Sequence, residues 1–415
     1  MIQSLANWIL SFDLLSGLGY SLAWGFSLIV VAALIFVFVA LNALILVYIE
    51  RKVSAFMQVR LGPMRVGKFG LLQTVADALK LMQKEDIIPE KADKALFTVG
   101  PWTILVASVV TFAAIPFSDT LLAANMNIGL FYVISISSIV VLGIVMSGWA
   151  SNNKWSLYGA MRSAAQIISY EIPVGITLIA VVAVVGSLNL QTIVLSQGGA
   201  SNLFHWIPLP MPNWLVFHNP FLFLAAFVYL TGATAEINRT PFDIPESESE
   251  LVAGFMTEYS GLRWALFFLS EYANATLVAF LVSILFLGGW QSPFISFSSA
   301  QIVLTIFTVI AALWTVFVKT KVGRLSIYPL GLMLVATVAA WLFPGFAVWL
   351  ASPGLFWMLT KVAGIIFMLM WFRWTFPRLR VDQLMYVSWK VILPVSLLNL
   401  MGVAIWMWLT GEIQF

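Results

Sequence analysis

The chain has 415 residues, 61% of them hydrophobic and only 9% charged, with a formal net charge of +3. So little polar surface excludes a water-soluble globule of this size. The absence of cysteine excludes thiolate-held iron–sulfur clusters, c-type haem attachment and disulfides on this chain.

Ten apolar runs of roughly twenty residues stand out, each long enough to cross a hydrocarbon core of about 30 Å. They cover 24–49, 97–117, 128–149, 165–186, 219–236, 264–289, 300–318, 327–350, 354–374 and 387–409. None alternates apolar with polar, so they predict helices rather than barrel strands. The expected fold is all-α: a polytopic transmembrane helical bundle of about ten spans, with interfacial amphipathic helices, forming one integral membrane domain over 1–415.

Residues 1–20 contain Asp13 but no Lys or Arg. They lack the basic region of a cleaved signal peptide, so the first span is expected to be mature structure. That span ends on Glu50, Arg51 and Lys52. The loop Gly62–Lys68 has the spacing of a phosphate loop, but Phe69 stands where Ser or Thr is required and no strand precedes it, so it predicts turns only. Residues 70–84 place Leu71, Leu72, Val75, Leu79 and Met82 on one helical face, with Gln73, Asp77, Lys80 and Lys84 opposite. This predicts a helix lying flat at the membrane surface, which either frames an opening for a lipid-soluble substrate or simply anchors the chain.

Glu171 falls inside the fourth span, two residues before Pro173, which removes a backbone donor and frees a carbonyl. Glu236 closes the fifth span, and Glu271 lies inside the sixth, followed by Tyr272 and Asn274. A carboxylate facing lipid costs about 2.5–3.5 kcal/mol at a helix centre, so acidic groups in spans point to a wet, protein-lined cavity or a proton path. With Glu50 they bring four carboxyls to one membrane depth on separate helices, a chain whose proton affinities desolvation and mutual repulsion would tune. Any one of them could instead be an interfacial helix-end charge. From Glu236 to Asn274 the sequence holds seven carboxylates: Glu236, Asp243, Glu246, Glu248, Glu250, Glu258 and Glu271. Arg239 and Arg263 flank the loop among them, giving either a solvated acidic loop or a polar bed that senses a quinone headgroup. Lys361 lies within the ninth span, either snorkelling to the surface or pairing with a buried carboxylate. His205 and His218 share one loop, so they cannot clamp a haem between facing spans, and no metal site is expected.

With the N-terminus outside, every Lys and Arg except Lys361 falls on the inner side, which satisfies the positive-inside rule. Both termini are then expected on the periplasmic side of a bacterial inner membrane. The net charge reports this orientation and not nucleic-acid binding.

Several blocks together resemble the quinone-chamber membrane subunit of respiratory complex I, the proton-pumping NADH:quinone oxidoreductase. They are Glu50-Arg51-Lys52, Gln58-Val59-Arg60-Leu61-Gly62-Pro63, Gly70-Leu71-Leu72-Gln73 with Ala76-Asp77, Gly148-Trp149-Ala150-Ser151-Asn152, Arg162 to Glu171, Glu236 to Asn274, and Pro377 to Met385. The resemblance implies a component of an enzyme that is not catalytic alone. It would wall a quinone chamber together with hydrophilic iron–sulfur and quinone-site partner subunits, beside other membrane subunits and lipid. Quinone, either ubiquinone or menaquinone, would be the substrate, with no iron–sulfur cluster, haem or flavin on this chain. By resemblance, Glu50, Arg51, Arg60, Asp77, Arg239, Asp243, Glu246, Glu248 and Glu250 would line the quinone entrance and headgroup site, and Glu171, Glu236, Glu258 and Glu271 would carry protons into the membrane. Two features depart from the family pattern. A pair of extra spans at about 300–350 splits the core of eight into 1–299 and 351–415, and Met64 and Val381 stand where Asn and Tyr are usual. A homologous subunit of a membrane-bound hydrogenase or ferredoxin-linked complex, and a stand-alone secondary transporter, remain open as alternatives.

Overall fold

The computed structural model describes residues 20–204, 207–244, 252–294, 352–411 and parts of 301–348. Helices dominate. α1 (Tyr20–Met57) is followed by the amphipathic α2 (Gln73–Gln83), α3 (Lys94–Val110), α4 (Gly129–Ala150) and α5 (Lys154–Val185). After the short α6 (Leu190–Ser196) and α7 (Leu215–His218) come α8 (Pro220–Glu236), α9 (Gly261–Phe286) and α10 (Leu355–Thr375). α11 (Val381–Tyr386) runs through one π-helical turn at Val387–Ile392 into α12 (Leu393–Thr410). Seven of these helical segments are long and apolar enough to span a bilayer, and α8 is a shorter apolar helix. The protein is a polytopic helical membrane protein.

Each expected span outside 300–350 finds a helix, often longer than the apolar run. α5 starts at Lys154 rather than near 165, because Asn153 accepts a hydrogen bond from Trp155 N at 2.9 Å and caps a polar first turn that lies ahead of the apolar run. It runs unbroken through Pro173. Asp93 caps α3 and Asn219 caps α8 in the same way. The extra segments at 300–318 and 327–350 lie largely outside the described residues. Those described there are helical, and Thr308 and Thr337 share a hydrogen bond of 2.7 Å while Trp341 Nε1 donates to Thr305 Oγ1 at 3.2 Å. One departure from an all-helical chain is a small antiparallel hairpin of β1 (Ala200–Leu203) and β2 (Ile207–Pro212). The prolines of β2 cannot donate, which limits that strand to a two-stranded edge and hid it from a reading by apolar runs.

α9 is the hub, packed against α1, α3, α8 and α10, with most of its apolar stretch buried. In a bilayer, helices gain little from burying apolar surface against each other, so small residues that allow close approach matter more. A Cβ on Gly148 would collide with Ala160, and one on Gly232 with Val174. These two contacts draw α4 and α8 onto α5, around the carboxylates described next.

Candidate functional site

Glu50, at the inner face of α1, is only 5% exposed. It is therefore not a solvated helix-end charge. Arg239, in the loop after α8, donates from Nη1 to Glu50 Oε1 at 3.2 Å and Oε2 at 3.1 Å, and Tyr272 Oη on α9 donates to Oε2 at 2.7 Å. Arg373, near the end of α10, completes the group with an ion pair and hydrogen bond to Oε1. The Arg239 guanidinium also lies 4.7 Å above the Tyr272 ring, and its Nε is 2.8 Å from Glu271 Oε1 in an ion pair without hydrogen-bond alignment. Burial works against the Arg239 charge, but Glu271 and Glu50 outweigh it and raise its pKa further above the ordinary arginine value.

Gln166 of α5 holds this loop in place. Its amide donates to Ala235 O at 2.8 Å and Phe242 O at 2.7 Å, bracketing Arg239 from both sides. Beyond it, Asp243 Oδ2 accepts from Arg378 Nη2 at 2.9 Å, while its buried Oδ1 has no hydrogen-bond partner among the described residues. Burial pushes the Asp243 carboxyl up to about 6, with Arg378 pulling it down and Glu271 adding to the rise.

Away from this cluster the carboxylates have no cation among the described residues. Glu171 on α5 accepts a hydrogen bond from Ser138 on α4. Glu236, at the end of α8, has neither ion-pair nor hydrogen-bond partner among the described residues. Two adjoining cavities connect these groups. The first, with about 80 Å³ open to the centres of water molecules, is lined by Ser137, Ser138, Glu171, Gly175, Glu236 and Asn274 among apolar side chains. The second, of about 40 Å³, is lined by Glu236, Asn238, Ser270, Glu271 and Asn274. A single water needs roughly 10–15 Å³ on this measure, so each has room for more than one, beside polar partners.

Of the residues singled out in the sequence, Glu171, Glu236 and Glu271 thus meet along one pair of cavities, and Glu271 joins Glu50 and Arg239 through the guanidinium. Arg51 and Asp77 form a separate pair between α1 and α2, Nη1 to Oδ2 at 2.5 Å, and Gln73 Nε2 donates to Asp77 Oδ1 at 3.1 Å. Partial burial opposes the Asp77 charge, but Arg51, Gln73 and Lys80 hold its pKa below the usual value. Arg60 is exposed and donates to Gln58 Oε1 at 2.6 Å. Glu258 stands apart on Asn153, whose amide donates to it at 2.5 Å. Glu246, Glu248 and Glu250 lie outside the described residues. The apolar face of α2 is exposed, with Leu79 and Met82 more than half accessible.

Lys361 meets neither expectation made for it. Its Nζ donates to the carbonyls of Leu287 at 2.5 Å, Gly289 at 2.8 Å and Gln291 at 2.7 Å and sits 4.1 Å over the Trp214 ring. The carbonyls of the turn that follows α9 match its three donors, and no carboxylate is needed. Among the described residues, no group of three or more His, Asp or Glu is arranged to hold a metal ion.

Sequence reasoning gave no role to Arg373, Gln166 or Ser138. Arg373 lies 323 residues from Glu50. The only sequence signal for it was an arginine at the inner end of a span, the depth where Glu50 also ends.

Comparison with known proteins follows the same lines. A family model described as NADH dehydrogenase matches residues 30–330 and 328–404. A subunit of NADH-quinone oxidoreductase, designated H, from Chlorobaculum tepidum is 46% identical over 390 residues, covering 94% of this chain and 95% of that protein. Similarly named relatives from Solibacter usitatus and Geobacillus kaustophilus are 43% and 42% identical, each covering 86% of this chain and 90% and 86% of their own lengths.

Proposed function

The chain belongs to the NADH dehydrogenase family and is a membrane subunit of an NADH-quinone oxidoreductase complex, and from that premise we propose that it walls the quinone chamber and couples quinone reduction to proton translocation through its buried carboxylates. The observation that carries this reading is the run of carboxyls lining two adjoining cavities, Glu171 and Glu236 in the first and Glu236 and Glu271 in the second, and the link of Glu271 to the Arg239–Glu50–Arg373 cluster.

Reducing a quinone to the quinol takes two electrons and two protons. The electrons come from iron–sulfur clusters of hydrophilic partner subunits, since this chain has no thiolates to hold one. Negative charge arriving at the headgroup acts through Coulomb forces on the guanidinium of Arg239, within reach of both Glu50 and Glu271. Glu50, held by two arginines and a tyrosine, serves as the fixed counter-ion. Glu271 shares the guanidinium with it, so a shift of Arg239 toward the headgroup weakens the hold on Glu271 and favours proton uptake there. Glu236 and Glu171, with no cation among the described residues, then pass the proton on, and Glu258, which lines neither cavity, is assigned to feeding the path from beside Asn153.

The quinone enters past Arg51, Arg60 and Asp77, beside the exposed apolar face of α2, and its headgroup sits near Arg239, Asp243, Glu246, Glu248 and Glu250. The site faces the cytoplasm of a bacterial inner membrane, with both termini periplasmic. The whole chain forms one membrane domain, with the extra pair of spans at 300–350 at its periphery.

Two experiments test this reading. A photoreactive quinone analogue in the intact complex should label peptides around Arg239–Glu258 and α2; labelling confined to other subunits contradicts the chamber. Glu171→Gln should lower proton pumping in proteoliposomes at least several-fold while electron entry from NADH to the partner clusters is kept. Undiminished pumping removes Glu171 from the path.

A further inference from the structure

The two cavities meet at a partition of five residues: Val140, Ile167, Glu236, Ile237 and Asn274. Three are apolar. Of the two polar ones, Glu236 titrates and Asn274 does not. Asn274 lies one turn beyond Glu271 on α9, so both point to the same side of that helix. Its amide has no hydrogen-bond partner among the described residues, and neither amide atom is sealed from a water-sized sphere. Of the other buried or partly buried amides near the site, Gln166 spends its donors on Ala235 and Phe242, Asn153 its donor on Glu258, and Asn238 its donor on Ser163 Oγ at 3.1 Å. Asn274 alone among them leaves both its donors and its acceptor facing cavity space.

We propose that Asn274 is the positioning residue of the junction: its amide orders the water that links Glu236 to the Glu271 cavity, so that a proton passes between the two carboxyls along a hydrogen-bonded chain. An amide suits this place. It offers a donor and an acceptor at once, so it holds a water on either side in a defined direction. It also carries no charge at any working pH, so it neither traps the proton nor adds repulsion to Glu236 and Glu271. The proton leaves the water held by Asn274 as that water takes another from the next carboxyl, and the amide itself gains and loses nothing. A purely structural asparagine in a membrane helix would instead bond across to a neighbouring helix or to its own backbone.

This inference rests on the carboxylate path described above, and the test separates the two. Asn274→Thr and Asn274→Val have side chains of nearly equal shape and similar helix preference, but only threonine offers a donor and an acceptor. In the intact complex reconstituted in proteoliposomes, rates are taken per assembled complex. Asn274→Val should slow coupled NADH-to-quinone turnover about tenfold relative to Asn274→Thr, the effect of one broken link in proton delivery. Its solvent deuterium isotope effect should rise above that of the parent, and electron entry to the partner clusters should stay the same in both. Equal turnover and equal isotope effects in the two variants overturn the proposal. Glu236→Gln is the control. If it is impaired while the threonine and valine variants match, the junction fails and the path survives; if Glu236→Gln also turns over and pumps like the parent, the path itself fails.

Discussion

Glu50 is buried and Glu236 half-buried, on two helices, α1 and α8, that both pack against α9, yet their surroundings are opposite. Glu50 receives two guanidinium groups and a tyrosine hydroxyl, whereas Glu236 faces cavity space with no cation among the described residues. A buried ion pair holds its charge because removing either partner leaves the other stranded. A carboxylate without a cation has only water or a proton to offset its charge. The lesson is that one residue type supplies both a fixed anchor and a mobile-proton site, and the arginines decide which. Glu271, on one edge of Arg239, sits between the two regimes.

The comparison breaks most visibly at Arg239. Arg239→Met leaves Glu271 without its cation and Glu50 with one fewer, and should destabilise the protein by about 3–5 kcal/mol. Native electrophoresis and thermal denaturation of the complex should show that loss; a complex of unchanged stability would mean the cluster holds nothing together.

On the cavity side the largest effect should come from filling space. Gly175, one turn beyond Glu171, has no atom of the described residues within 4 Å of where a Cβ would stand, and it lines the first cavity. Gly175→Leu should therefore assemble normally but pump several-fold more slowly, because the added side chain displaces water beside Glu171. Pumping at the parent rate would show that the cavity is not in the path.

A smaller effect sharpens the boundary between the two regions. With its carboxyl pushed up to about 6 by burial, Asp243 is ionised and paired with Arg378 above that pH and neutral below it. Quinone reductase activity should fall as pH drops through about 6, and Asp243→Asn should flatten that step. The sign excludes acid unfolding through this group. Its native pKa lies above the unfolded value, so the native state binds the proton more tightly and protonation favours the fold. A step that persists unchanged in Asp243→Asn assigns it elsewhere.

Much of the architecture was legible because apolar run length is a direct consequence of bilayer thickness, and every expected span outside 300–350 has its helix. Helix ends were less legible. Asn153 begins α5 about eleven residues before the apolar run, since a cap and a polar first turn carry no hydropathy signal. The grouping of Glu171, Glu236 and Glu271 followed from their common depth. Their partners did not, because depth says nothing of rotation about a helix axis: Arg373 against Glu50 and Ser138 against Glu171 appear only once α10 and α4 are packed. Lys361 shows the same limit from the other side. A lone buried lysine suggests a carboxylate, but three carbonyls of the turn that follows α9 satisfy it equally well, and backbone groups are invisible in a list of side chains.

The central claim is that a carboxyl group without a cation changes protonation when the quinone is reduced. Reduced-minus-oxidised infrared difference spectra of the intact complex test it most directly, through the C=O stretch of a protonated carboxyl. Such a band is expected in the parent and should be lost in Glu236→Gln. A band identical in the two, or a parent spectrum without one, would contradict it.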